Sequence, residues 1–158
     1  MENPSVYLET SFVSYLTAKP SRNLIIAAHQ NITLDWWENR RQNFELFISQ
    51  VVIDEAKLGD LDAATRRLKV LENIPHLAIS KEIADFSSKL IDKHLVPASE
   101  LRDAIHIATS CVSGIDYLLT WNCKHIANAQ KRKEIEKMCA EFGYVSPVIC
   151  TPEELLGD

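Results

Sequence analysis

The stretch VYLETSFVSYL, residues 6 to 16, decides how the rest of the chain is read. Val6 to Glu9 is a short run rich in strand formers, Thr10 and Ser11 are residue types that cap helices, and FVSYL resumes as an apolar helix. A strand that turns into a helix within two residues is the start of an α/β unit. The chain beyond it repeats the pattern. After AKPSRN, residues 24 to 43 read as a helix with a bend expected near Asn31 to Thr33. FELFIS (44 to 49) alternates as a strand and leads into VVIDEAKLG, a short helix ended by Gly59. Asp60 caps LDAATRRLKVLEN, which stops at Pro75. HLAIS (76 to 80) is a third strand, KEIADFSSKLIDKHL a helix closed before Pro97, and Ser99 the expected cap of the next helix, which Gly114 ends. YLLTW (117 to 121), the charged helix AQKRKEIEKMCAEFG and YVSPVIC (144 to 150) complete the series.

Strands separated by helices predict an α/β fold: a mostly parallel five-stranded sheet flanked by helices on both faces, three layers deep, in a single domain over residues 1 to 158. The 158 residues, 46% of them hydrophobic, suffice for one sizeable core. The absence of signal-peptide features and of any long apolar run leads to the expectation of a soluble, cytoplasmic protein without a membrane span. The four cysteines lie far apart and are expected as reduced thiols; Cys123 and His125 form the one close Cys/His pair, a weak basis for zinc. A net charge of −5 excludes a surface generally coated in positive charge for nucleic acid, while Arg40 and Arg41, Arg66 to Lys69 and Lys131 to Lys133 leave room for a local basic rim.

The stretch LRDAIHIATS (101 to 110) raises a chemical question. Its helix is apolar around most of the cylinder, yet Asp103 opens it, and a buried carboxylate needs a partner or a task. In a parallel sheet, strand ends and helix starts share one edge, where α/β folds place ligands. Glu9 ends the first strand, Glu55 lies one or two turns into the helix after the second, Asp103 begins its own helix and Asn122 ends the fourth strand. Three carboxylates and an amide at one edge repel unless neutralised, and an oxygen-only set favours Mg²⁺ or Mn²⁺ over zinc. Such an ion polarises phosphoryl oxygens and activates water, which points to a phosphodiester substrate. Ordinary structure explains each residue singly: acids suit first helical turns, and Asn suits turns. Their expected convergence is what carries the functional reading.

VYLETSFVSYL, FELFISQVVIDEAKLGD, PASELRDAIHIA and DYLLTWNCKHIAN, in that order over residues 6 to 128, resemble the PIN-domain nucleases, specifically the VapC-type toxins of bacterial toxin–antitoxin pairs. The resemblance implies a Mg²⁺- or Mn²⁺-dependent endoribonuclease with catalytic residues Glu9, Glu55, Asp103 and Asn122, the metal held by Glu9, Asp103 and Glu55. Two positions depart from the family pattern. Glu9 stands where the family has Asp, so the metal sits farther from the strand or the side chain folds back, and Asn122 stands where Asp is frequent, which lowers the site charge. Thr10 and Ser11 either orient Glu9 or a metal-bound water, as the resemblance suggests, or only cap the first helix. The resemblance further implies RNA as substrate, a homodimer, and an antitoxin protein bound through residues 12 to 43.

Around this set, Arg102 and Lys124 are candidate contacts to RNA phosphate. His106 reads as a core histidine bonded to backbone, since a hard ion has little use for imidazole. Trp36 and Trp37 cannot share one helix face, so one is core and the other is free for an interface or a base. Asp116 reads as a turn residue. The alternative function, suggested by Glu9 and Asn122, is a catalytically silent PIN-like module that binds RNA or protein without cleavage. A phosphohydrolase working through an aspartyl intermediate is disfavoured by Glu9 at the first strand's end.

Overall fold

Val6, Tyr7 and Leu8 are fully buried, as a central strand covered on both faces requires. The computed structural model describes residues 2–157, and these three belong to β1 (Ser5–Leu8). The other strands are β2 (Glu45–Ser49), β3 (His76–Leu77), β4 (Tyr117–Leu119) and β5 (Val148–Cys150). Between them run α1 (Thr10–Thr17), α2 (Leu24–Asn39), α3 (Gln50–Ala56), α4 (Leu61–Leu71), α5 (Lys81–Asp92), α6 (Leu101–Val112) and α7 (Ala129–Glu141). The sheet order is β3, β2, β1, β4, β5 and every pairing is parallel, so the fold is the expected three-layer α/β/α arrangement. Val6 and Tyr7 of β1 pair with Leu46 and Phe47 on one side and with Tyr117 and Leu118 on the other.

This order positions the site. The chain steps outward from β1 through β2 to β3, then returns to lay β4 on the other side of β1. Connections leaving β1 and β4 therefore diverge, and a crevice opens at the carboxyl ends of those two strands.

Several boundaries differ from the sequence reading, each for a local reason. The fifth strand is expected from residue 144 but begins at Val148. Gly143, at φ 82°, closes α7 with its own N–H on the Ala140 carbonyl and the Tyr144 N–H on that of Cys139, so residue 144 is spent on ending a helix. Pro147 offers no donor to a ladder. The third strand keeps only His76 and Leu77 of the five residues expected. Residues 24 to 43 form a continuous helix to Asn39, followed by a 3₁₀ turn over Arg41–Asn43. Ser99 does not cap α6: it lies within a 3₁₀ turn (Ala98–Glu100), and no side chain caps the helix. Asp60 does cap α4, accepting the Ala63 N–H at 2.9 Å.

The core gathers on both faces of the sheet around Phe12, Trp36, Phe86, Ile107, Leu118 and Leu119, all fully buried. Trp36 stands edge-on to Phe12 at 5.5 Å. Trp37 is half-buried and the Arg41 guanidinium lies 4.4 Å above its ring, so the second tryptophan carries a cation on one face. Arg66 and Arg67 of the expected basic rim bond the carbonyls of Thr17, Ala56 and Leu58, tying α4 to its neighbours. Asp116 accepts the N–H and hydroxyl of Ser5, a structural role. The four cysteines are free thiols, and among the described residues no helix is long and apolar enough to cross a membrane.

Leu118 sits at the centre of the sheet with no exposure. Leu118→Ala is expected to lower the unfolding free energy by about 2–5 kcal/mol in urea titrations followed by circular dichroism. A loss below about 1 kcal/mol would contradict its place in a closely packed core.

Candidate functional site

Glu9 follows β1 directly and occupies the N-cap position of α1, with φ −77° and ψ 154°. Its extra methylene lets the side chain fold back. Oε2 accepts the Ser11 N–H at 2.9 Å, and Oε1 accepts the hydroxyls of Ser11 at 2.5 Å and Thr120 at 2.6 Å. Glu9 itself is thus the cap of α1, in place of the expected Thr10 or Ser11. Ser11 instead holds the carboxylate, and its hydroxyl also accepts the Trp121 N–H at 2.8 Å, which pins the end of β4 against the start of α1. A carboxylate has about four lone-pair positions. Three are filled here, and the remaining one is on Oε2.

Glu55 projects from the second turn of α3 towards the same place. Its Oε1 accepts the Thr10 hydroxyl at 2.8 Å and meets His106 Nε2 at 2.5 Å. His106 is fully buried in α6, as a core histidine should be, but its partners are side chains and not the expected backbone: Nδ1 lies 2.7 Å from the Tyr7 hydroxyl, which in turn is 2.8 Å from Ser49 Oγ. Glu9, Glu55 and His106 bring one ligand-type atom each to within 4.8 Å of one another.

Asp103 lies in the first turn of α6, only 7% exposed. It shares with Glu55, Ser99, Glu100, Leu101 and Arg102 a cavity of about 310 Å³. Asn122 lies beyond β4, where its Oδ1 accepts the His125 N–H at 3.0 Å. The oxygen expected to face a metal therefore closes a turn, and the Asn122 side chain acts on Asp103 by favouring its ionised form. Arg102 is exposed beside the cavity, and Lys124 is exposed in the turn after β4.

The electrostatics follow from this crowding. Burial and the charge of Glu9 push the Asp103 carboxyl above its ordinary value, against the partial help of the Asn122 amide and His106. Burial also works against ionised Glu55, but the His106 hydrogen bond and charge, the Thr10 hydroxyl and Arg102 reverse the effect and leave it lowered. For His106, burial pulls the imidazole down, and its hydrogen bond to Glu55 with the charges of Glu9, Glu55 and Asp103 overrides it, so the net shift is upward. Among the described residues no Lys or Arg lies within ion-pair distance of Glu9, Glu55 or Asp103. Crowded acids with oxygen donors to spare and, among the described residues, no Lys or Arg at ion-pair distance suit a hard divalent cation. The residues present fit such an ion.

The sequence reading brought Glu9, Glu55, Asp103 and Asn122 to one edge; the structure sets Glu9 and Glu55 together with His106 and lines one cavity with Glu55 and Asp103. It missed Tyr7, Ser49 and Thr120, and it misjudged the partners of His106. The available signal was faint: a phenol and two hydroxyls on otherwise apolar strands.

No protein-family model matches the chain, and no curated protein matches it. Solved structures do. The Mycobacterium tuberculosis toxin VapC20, described as cleaving the sarcin–ricin loop, superposes with a TM-score of 0.60 at 14% identity, over 89% of this chain and 97% of that one. VapBC2 from Rickettsia felis, solved on a DNA fragment from its promoter, gives 0.58 at 15% identity, over 92% and 97%. Likeness over nearly the whole length of both chains makes this fold that of a VapC-like PIN domain.

Proposed function

We propose that the protein is a divalent-metal-dependent endoribonuclease, the toxin of a toxin–antitoxin pair. The observation that carries this reading is the approach of Glu9 to Glu55 and of Glu55 to Asp103, from three separate elements, with no Lys or Arg within ion-pair distance of them among the described residues. The likeness to a toxin described as cleaving the sarcin–ricin loop supports RNA as the substrate class. Mg²⁺ or Mn²⁺ would be held by the free lone pair of Glu9 together with Glu55 and Asp103, and when bound supplies polarisation of the phosphoryl oxygen and acidification of water.

The remaining residues serve this arrangement. Ser11 and Thr120 fix the Glu9 carboxylate, Thr10 fixes Glu55, and the Asn122 side chain favours the ionised form of Asp103. Arg102 and Lys124, both exposed, are assigned to RNA phosphates on either side of the acids. An antitoxin is the proposed occupant of α2, where Leu24, Ile25 and Leu34 stand exposed at 86%, 69% and 43%. A homodimer, as implied by the resemblance, belongs to the same proposal. A second reading, a module that binds without cutting, is favoured by one observation: three of the Glu9 lone pairs and the Asn122 oxygen are already engaged. Calorimetric titration with Mn²⁺ discriminates between the two, since micromolar binding that Asp103→Asn abolishes counts heavily against the silent module.

Incubation of the purified protein with structured RNA and Mg²⁺ or Mn²⁺ is expected to yield cleavage that EDTA stops. Asp103→Asn should slow it by at least the roughly 10- to 100-fold typical of losing a metal site's outer support. Cutting that survives both treatments would remove the chemistry from this site.

A stability test has the opposite sign. The folded-state value of Asp103 is raised, so its favourable contribution is complete below the ordinary carboxylate range and is lost as pH rises through the folded value. At neutral pH in EDTA, Asp103→Asn is therefore expected to raise the melting temperature by a few degrees, as removing a strained functional charge does. An unchanged or lower melting temperature would show that the carboxylate is not under electrostatic strain.

A further inference from the structure

We infer that His106 is a positioning residue: through a buried chain of side chains, Ser49, Tyr7 and His106, the core of the protein aims the Glu55 carboxylate at the candidate metal site. The inference rests on the metal-dependent reading above.

Three observations carry it. First, both ring nitrogens of the fully buried imidazole are engaged by side chains, Nδ1 with the Tyr7 hydroxyl at 2.7 Å and Nε2 with Glu55 Oε1 at 2.5 Å. With no lone pair left facing the crevice, His106 acts through Glu55 and not as a ligand of its own. The Nε2–H donates to the carboxylate, as an ionised acid only accepts. Second, the chain of hydrogen bonds continues into the core. Ser49 occupies the N-cap position of α3, the place where a serine hydroxyl ordinarily accepts a helix N–H, yet it makes no cap and turns to the Tyr7 hydroxyl 2.8 Å away. Third, the links come from different elements, β2, β1, α6 and α3, all packed at the sheet's carboxyl edge. A carboxylate on a short helix such as α3 would otherwise sample several rotamers. Held by His106 on one side and the Thr10 hydroxyl on the other, Oε1 is fixed and Oε2 is left for an ion.

The test uses the full-length protein. In metal-free, ¹⁵N-labelled protein, the His106 Nε2–H is expected as an exchange-protected ring signal that persists in the wild type and disappears in Glu55→Ala. A missing signal in the wild type, or one indifferent to Glu55→Ala, overturns the inference whether or not any metal binds. Mn²⁺ calorimetry is the second arm. His106→Leu should weaken Mn²⁺ about 10- to 100-fold, His106→Gln, which keeps a donor near Nε2, should recover most of the affinity, and Tyr7→Phe should fall between. Circular dichroism checks that each variant folds, and Tyr7→Phe decides the matter should His106→Leu unfold. Wild-type affinity in folded His106→Leu or Tyr7→Phe refutes the positioning role. Absence of Mn²⁺ binding by the wild type refutes the metal-dependent reading instead, and the ring-proton experiment then decides on its own whether His106 holds Glu55.

Discussion

Mutual repulsion among three carboxylates is the constraint around which this molecule is arranged. The strand order leaves a crevice beside β1 and β4, and Glu9, Glu55 and Asp103 enter it from segments remote in sequence. Glu9 and Glu55 bring carboxylate oxygens within 4.8 Å of one another, and two unit charges about that far apart repel by on the order of 3 kcal/mol at an effective dielectric of about 20. Hydrogen bonds to a charged group contribute roughly 1.5–3 kcal/mol each, so the three received by Glu9 offset that repulsion. Asp103 has no such set, and burial first, then the charge of Glu9, pushes its carboxyl upward.

The hydroxyls that hold the acids also hold the fold's central junction. Ser11 bridges the start of α1 to the end of β4 while it positions Glu9, and Thr10 joins α1 to α3 through Glu55. Local structure and site chemistry are therefore one set of bonds. The same economy explains the helix cap: a glutamate, one methylene longer than an aspartate, reaches back to the N–H of Ser11 and keeps one lone pair of Oε2 free.

The α/β alternation was legible because buried parallel strands are continuous apolar runs and the helices between them carry ordinary punctuation. VYLE and YLLTW could be located, and with them the edge at which Glu9 and Asn122 stand. The convergence of Glu55 and Asp103 followed from topology alone. What composition and spacing could not carry was orientation. Nothing in IHIAT says that the His106 ring meets Tyr7 and Glu55, because those partners lie 99 and 51 residues away. Nor does WNCKH say that the Asn122 oxygen closes its own turn. Caps were misread for a related reason: Ser49, Ser99, Thr10 and Ser11 are good capping residues, and tertiary partners or a 3₁₀ turn displaced them from that task.

The margins of the sheet have a meaning of their own. β3, at one border, is two residues long, and β5, at the other, is three. Runs that short offer a foreign strand almost no ladder to extend, which is how proteins with central parallel strands resist templating their own aggregation. A chain whose most apolar segments sit innermost, and whose borders give out after two or three residues, can tolerate an exposed apolar helix elsewhere without inviting strand-to-strand assembly.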